Sequence, residues 1–319
     1  MSLLLIASER FADHITPPGH PERVERAQVF DAVAHAWRAR GGQVVPPRPA
    51  TREALLAVHT AEHVDAMAAI AGKSLALDRE GDTFSSPDSY DVALLAAGAV
   101  CVGVDHALHG RGPALALVRP PGHHAEGDHP MGFCLFNNIA VGAAYARTRG
   151  LSRVAIVDID VHHGNGTQWI FYEDPSVLYV STHQYPFYPG TGAANETGRG
   201  AGAGTTLNLP LEAGATDADY DRLFRERINP TLADFVPEML FVSAGFDAHA
   251  RDPLASMRVT TAGYRRMLDY LWTTASAVAG GRLVAVTEGG YDLQALQECL
   301  TETVDVLSAP ARMPEPRTV

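Results

Sequence analysis

Cysteine is scarce in this sequence, with three in 319 residues. Cys101, Cys134 and Cys299 form no CxxC pair and no disulfide framework, which excludes a disulfide-stapled scaffold and predicts a reducing, cytoplasmic compartment. Basic charge is also short. Lysine and arginine number 25 against 37 aspartates and glutamates, a formal net charge of −12. That balance excludes broad nucleic-acid binding, which needs basic surface. It suits solubility and weakly attracts cationic substrates. Long apolar runs are missing. The stretch Leu3-Leu4-Leu5-Ile6-Ala7 has no basic residues before it and is short for a signal peptide or a membrane span, so it reads as a buried strand. No repeat or linker divides the chain, and residues 1–308 read as one domain. Residues 309–319, rich in proline and arginine, read as a loose tail. The glycine-rich segment 198–204 lacks the Gly-Lys-Ser/Thr ending of a phosphate loop and reads as a surface loop.

What is present is a regular alternation. Short apolar runs at 3–7, 114–118, 154–157, 177–180, 239–242 and 283–286 are separated by helical patterns at 23–40, 61–71, 90–108, 138–149, 217–235, 261–278 and 293–307. Several runs are rich in valine and isoleucine, as strands buried on both faces are. Val92, Leu95, Ala96 and Ala99 have the spacing of an ordinary core helix. The series predicts an α/β fold with a mostly parallel central sheet and helices on both faces.

Polar residues then collect just after the strands. His123 and His124 follow one run, and Asp158, Asp160 and His162 the next. Ser181 and His183, then Asp247, then Glu288 and Tyr291 follow the others. Ligands of open parallel sheets bind at the carboxyl ends of strands, so five strand ends offer metal-binding or acid–base groups to one edge.

Asp160-Val161-His162 places a carboxylate and an imidazole on one side of an extended segment. Read alone, such a pair is a surface turn. Zinc hydrolases use three protein ligands and an open position, and Asp247 is the best third. This oxygen, nitrogen, oxygen set suits zinc and also admits iron(II) or cobalt. His123 and His124 are adjacent, so their side chains are expected to diverge rather than share one ion. They fit a pair in which one takes a proton from the attacking water and one gives a proton to a leaving amine. Asp158 and Asn165 are their candidate supports, and an aspartate partner keeps an imidazole more basic than an asparagine does. Glu288-Gly289-Gly290-Tyr291 lets the backbone bend closely around a ligand. Tyr291 there can face a carbonyl opposite the metal and stabilise an oxyanion.

Together these residues resemble the histone deacetylase family, which includes the acetylpolyamine amidohydrolases. The resemblance spans residues 19–300. It is carried by His20-Pro21-Glu22-Arg23, Arg119-Pro120-Pro121-Gly122-His123-His124-Ala125-Glu126, Met131-Gly132-Phe133-Cys134-Leu135-Phe136-Asn137-Asn138, and Asp158-Ile159-Asp160-Val161-His162-His163-Gly164-Asn165-Gly166-Thr167-Gln168. Tyr188-Pro189-Gly190-Thr191-Gly192, Ser243-Ala244-Gly245-Phe246-Asp247 and Glu288-Gly289-Gly290-Tyr291 complete it. Asn165 and Glu288 resemble the class II branch; the class I branch usually has Asp and Gly at these positions. The resemblance implies the arginase–deacetylase fold, with about eight strands in the sheet. It implies one zinc per chain on Asp160, His162 and Asp247, and His123 and His124 as tandem general base and acid supported by Asp158 and Asn165. Tyr291 becomes the carbonyl-polarising tyrosine. Structural potassium is implied on backbone oxygens of Asp158, Asp160 and His162 with Ser181 and Thr182. A second potassium site is implied around Phe171, Asp174 and Val177. His163 matches a family histidine that is not a zinc ligand.

Gly132, Phe133 and Tyr188 match the substrate tunnel, whose aromatic walls suit a lysine-like stem. Leu254 matches the position that gates the tunnel mouth. Polyamine-preferring members carry Glu there, so leucine favours acyl-lysine or another neutral acyl-amide. The implied partner is an acylated lysine or a small acylated amine, with no direct nucleic-acid or membrane binding. Three other readings exist: an acetylpolyamine amidohydrolase, a non-catalytic binder of acylated ligands, and a two-metal ureohydrolase on the related fold. The binder should lack a ligand or the tyrosine, and the ureohydrolase needs further bridging aspartates.

Overall fold

The strands of the computed structural model, which describes residues 2–311, are β1 (Leu4–Ile6), β2 (Gln43–Val45), β3 (Leu75–Ala76), β4 (Phe84–Ser85), β5 (Ala114–Ala116), β6 (Val154–Asp158), β7 (Val177–Gln184), β8 (Thr206–Leu211), β9 (Met239–Ala244) and β10 (Leu283–Thr287). Residues 312–319 of the expected tail lie outside the described residues. Eight strands form one sheet in the order β2-β1-β5-β10-β9-β6-β7-β8, and β3 with β4 makes a separate antiparallel pair. Every pairing in the large sheet is parallel.

The six apolar runs of the sequence are β1, β5, β6, β7, β9 and β10. The two edge strands were not predicted, for a physical reason. β2 is exposed or half-buried throughout. β8 alternates Thr206, Asn208 and Pro210 with Leu207, Leu209 and Leu211, and proline is tolerated at an edge where its missing N–H is not needed.

The helices are α1 (Glu25–Ala39), α2 (Arg52–Leu56), α3 (Ala61–Ala68), α4 (Ser89–Leu108), α5 (Asn138–Thr148), α6 (Asn165–Phe171), α7 (Asp217–Leu223), α8 (Asn229–Phe235), α9 (Thr261–Val278) and α10 (Leu293–Ser308). Period-two alternation divides each inner strand between two cores. Ala155, Val157, Leu240 and Val242 pack with α1, α9 and α10. Val154, Ile156, Met239 and Phe241 pack with α4 and α5. α4 is long and apolar enough to cross a membrane by length and composition, yet 72% of its apolar window is buried inside the protein, as a core helix requires. The helix expected over 217–235 is helical throughout, with α7 and α8 continuous through a π-helical segment, Phe224–Ile228. Pro230 sits in the first turn of α8 and cannot donate back to the preceding turn, which widens the hydrogen bonding there.

This strand order assembles the site. β10 and β9, last in sequence, insert between β5 and β6. The carboxyl ends carrying His123 and His124, Tyr291, Asp247, and the Asp158–His162 segment therefore lie side by side.

Burial also builds in acid lability. His59 accepts from the Asn137 N–H through Nε2 at 3.0 Å and meets the Glu126 carbonyl through Nδ1 at 2.9 Å, so the folded ring is the neutral tautomer. Burial, with His63 nearby, lowers its pKa to about 3. His14 is lowered to about 4, chiefly by burial against the opposing pull of Glu22. A folded value below the unfolded one means that the unfolded chain binds more protons as pH falls through about 6.5. Stability is then expected to decline from pH 6.5 toward pH 4, by about 1.4 kcal/mol per pH unit for each such histidine. Urea denaturation across that range measures it, and a flat profile contradicts it.

Candidate metal centre and active site

One carboxylate oxygen each from Asp160 and Asp247 and one imidazole nitrogen of His162 all lie within 4.8 Å of one another, and all three residues are buried. His162 Nδ1 is 3.1 Å from Asp160 Oδ1 and 3.1 Å from Asp247 Oδ2. Backbone amides orient both carboxylates: Val161 N–H donates to Asp247 Oδ1 at 2.8 Å, and Gly289 N–H to Asp160 Oδ2 at 2.8 Å. Gly245 and Gly289 must be glycine, because a Cβ on either would overlap these carboxylate oxygens. Burial, then Asp160, pushes Asp247 up to about 7. No lysine or arginine pairs with either acid among the described residues; the groups facing them are the imidazoles of His162 and of His123, whose Nε2 lies 3.8 Å from Asp160 Oδ1. Two hard oxygens and an imidazole nitrogen at this separation fit a divalent cation, zinc included.

Beside the cluster, His123 and His124 are the central residues of a turn closed by Ala125 N–H on the Gly122 carbonyl at 3.1 Å. Their expected divergence is not what the turn produces: the ring centroids are 4.0 Å apart. The turn folds the two side chains toward the same edge. His123 Nδ1 donates to Asp158 Oδ2 at 3.0 Å, and His124 Nδ1 to Asn165 Oδ1 at 2.8 Å. Asn165 gives its own Nδ2 to Glu126 Oε1 at 2.7 Å, which fixes the amide orientation and leaves His124 Nε2 with its lone pair. Burial opposes charge on His123, but Asp160 and Asp158 outweigh it and raise its pKa to about 10. Burial, then His123 and His162, drive His124 well below the usual imidazole value. The carboxylates beside His123 favour its charged form, while burial and the neighbouring imidazoles favour the neutral form of His124.

Tyr291 is buried, with Arg26 over its ring at 5.2 Å and the Phe133 ring at 6.0 Å. Its backbone N–H donates to Asp252 Oδ2 at 2.7 Å. Gly132 and Phe133 have φ of 55° and 71° in a turn bridged by Met131 and Cys134. A left-handed phenylalanine is a strained choice, and it sets the ring's direction. A Cβ at Gly132 would press on the His124 ring, 2.5 Å from Cδ2. Tyr188 lies edge-on to His124 at 5.2 Å, and its hydroxyl is buried without a partner. Leu254 is half-buried, its N–H on Asp252 Oδ1 at 3.0 Å.

The residues of the two potassium expectations are local neighbours. Asp158 and Ser181 are paired across β6 and β7, with Thr182 Oγ1 3.4 Å from the Asp158 carbonyl. Asp174 N–H reaches the Phe171 carbonyl at 3.0 Å, and Val177 N–H the Asp174 carbonyl at 3.4 Å. His163 binds Thr191 Oγ1 at 2.7 Å and Gln168 Oε1 at 3.0 Å through its two ring nitrogens, away from the cluster.

Other participants carry no role read from the sequence, although Glu22 and Arg119 lie within its motifs. Phe187 stacks on the His162 ring at 5.5 Å. Asp252 ties the segment bearing Leu254 to Tyr291. Beneath the site, Glu22 bridges Arg26 at 2.9 Å and Arg119 at 2.7 Å, all three buried. Arg26 in turn donates to the carbonyls of Glu288 and Gly290. The spacing of Glu22 and Arg26, four apart, is the one signal that could have suggested the first pair. The other potential metal cluster among the described residues, Glu126, Asp128 and His129, is half-buried to exposed and shares no residue with the first.

Comparison with known proteins agrees with this architecture. Residues 20–307 match the histone deacetylase domain. The chain is 41% identical over 303 residues to "Histone deacetylase 10, chloroplastic" of Oryza sativa subsp. japonica, covering 89% of this chain and 68% of that protein. It is 40% identical over 301 residues to the human "Polyamine deacetylase HDAC10", covering 89% of this chain and 44% of that protein. Two Arabidopsis thaliana relatives are also longer, and the chain spans 56% and 52% of them. The crystal structure of the HDA15 HD domain superposes with a TM-score of 0.91 at 40% identity, covering 96% of this chain and 88% of that one. With its eight-stranded parallel sheet and buried Asp–His–Asp cluster, this chain belongs to the histone deacetylase family of amidohydrolases.

Proposed function

We propose that the protein is a zinc-dependent deacylase that hydrolyses acyl-lysine, or a related acylated amine, to a carboxylate and a free amine. The observation that carries this reading is the convergence of Asp160, His162 and Asp247 within 4.8 Å, beside two differently supported histidines. Bound zinc supplies Lewis acidity toward the substrate carbonyl and the attacking water. His124, neutral and with Nε2 free, takes the proton from that water. His123, cationic and held by Asp158, contributes positive charge and a proton for the leaving amine. Tyr291 donates to the carbonyl oxygen as it becomes an oxyanion. Phe133 and Tyr188 line the aliphatic stem, with Gly132 keeping the wall close to His124 and Leu254 at the mouth. Potassium would be held by the carbonyls around Asp158 with Ser181 and Thr182, and by those around Phe171, Asp174 and Val177, and would there supply a positive charge that braces these loops. The free, buried Cys101, Cys134 and Cys299 suit a reducing, cytoplasmic setting. A second reading, an acetylpolyamine amidohydrolase, is favoured by the human polyamine deacetylase relative.

A kinetic panel of acetyl-lysine peptides, longer acyl-lysine peptides and acetylated polyamines, with and without chelator, tests the assignment. Zinc-loaded protein inactive on the whole panel defeats it. Tyr291→Phe is expected to lower kcat roughly 10²- to 10³-fold, the cost of one oxyanion donor, with zinc content unchanged. Zinc loss from that variant contradicts the role.

A further inference from the structure

We infer that Glu288 is a positioning residue for the proton transfers: its carboxylate holds the backbone of the turn that carries His123 and His124. The inference rests on the reading of those histidines as the proton-transfer pair. Glu288 follows β10, and its own N–H donates to the Ala244 carbonyl at 3.1 Å, which fixes its backbone to the end of β9. Its side chain is fully buried and bonds to the turn rather than to Asp160 or Asp247. Oε2 accepts from Gly122 N–H at 2.7 Å and from His123 N–H at 3.2 Å. Oε1 accepts from Ser243 Oγ at 2.9 Å.

The grip on this turn is divided by chemistry. Asn138 Nδ2 donates to the Pro120 carbonyl at 3.1 Å, and Asn137 Nδ2 donates to the Ala125 carbonyl at 3.1 Å. Those amides can hold only the turn's oxygens. Its two leading N–H groups have no acceptor other than Glu288 among the described residues. Buried amides without partners are rarely tolerated, so a turn deprived of that acceptor must shift to find one. It cannot lean toward α5, because the Gly122 Cα is already pressed against Asn138: an added Cβ would lie 2.5 Å from the Asn138 nitrogen. The carboxylate therefore sets where the two imidazoles stand relative to Asp158 and Asn165. The requirement is for an acceptor oxygen at one place, which glutamine can meet and alanine cannot.

The test compares Glu288→Ala, Glu288→Gln and Ser243→Ala in the full chain, with zinc content, melting temperature, kcat and KM on an acetylated substrate. Glu288→Ala is expected to lower kcat about 10²-fold, the scale of a 1 Å misplacement, with KM within about threefold and zinc retained. Glu288→Gln is expected to recover at least about tenfold of that loss. Ser243→Ala, which leaves both N–H contacts intact, is expected to stay within about threefold of wild type. Wild-type kcat in Glu288→Ala overturns the inference, as do equal losses in the alanine and glutamine variants. A loss in Ser243→Ala as large as that in Glu288→Ala also overturns it. Should the alanine variant not fold, Glu288→Asp decides: its carboxylate keeps the charge but falls a methylene short of Gly122, so kcat is expected to drop at least about tenfold, and wild-type kcat overturns the inference. An inactive wild type defeats the functional reading itself; an active wild type with an inactive His124→Ala and an undiminished Glu288→Ala defeats this inference alone.

Discussion

Asp247→Asn is expected to leave a folded protein that binds no zinc and turns over acetylated substrate about 10³-fold more slowly or worse, because a Lewis acid supplies several kcal/mol at about 1.4 kcal/mol per tenfold of rate. The substitution is nearly isosteric. Its side-chain oxygen can still accept the Val161 N–H that Asp247 Oδ1 accepts at 2.8 Å, so the strand end keeps its shape. What changes is the atom aimed at His162 Nδ1, where Asp247 Oδ2 lies at 3.1 Å. An amide NH2 there offers no lone pair and no negative charge. The folded state also loses a buried carboxylate that burial and Asp160 push up to about 7. The stripped variant is therefore expected to melt no lower than the zinc-free wild type. Zinc content with circular dichroism checks both halves, and zinc retained at one per chain contradicts the ligand assignment.

Glu22→Ala is expected to destabilise the fold by about 3–5 kcal/mol, the usual cost of removing one partner from a buried ion pair. The alanine leaves two guanidiniums, Arg26 and Arg119, fully buried without their counter-charge. For a chain of this size, that corresponds to a fall in melting temperature of roughly 4–7 °C. The deficit should depend on pH. Burial raises the Glu22 pKa, but Arg119 and Arg26 overrule it and hold the folded value at about 2. A folded value below the unfolded one means that this stabilisation is complete above about pH 4.5 and fades as pH falls toward 2. The gap between wild type and Glu22→Ala should shrink in the same window. Urea titrations at pH 7 and pH 4 measure it, and a gap that widens on acidification contradicts the account. Activity should fall too, since Arg26 holds the Glu288 and Gly290 carbonyls beside Tyr291.

The parts of the site that were legible in sequence share one property: their geometry is local. Asp160 and His162 face the same way because extended backbone has a period of two. The tandem histidines and the Gly289-Gly290 bend are short motifs, and the inner strands announce themselves by burial on both faces. β2 and β8 did not, since an edge strand with one wet side resembles a loop. The ring proximity of His123 and His124 was also missed, because a tight turn reverses the divergence expected of adjacent side chains. Glu22 with Arg119, Asp252 with Tyr291, and Phe187 on His162 were invisible for a different reason. Each pair joins segments well separated in the chain, and no spacing rule encodes their meeting. Asp160 and His162 are therefore a product of local sequence, while Asp247 and the site's distant supports reach them through the topology.

The central claim is one zinc per chain in the pocket of Asp160, His162 and Asp247. Stripping the protein with a chelator and titrating zinc back while following hydrolysis of an acetyl-lysine peptide tests it most directly. Activity should vanish on stripping, return in proportion to added zinc, and level off at one equivalent. Undiminished activity in the stripped protein, or a plateau only at two equivalents, would contradict a single-ion deacylase.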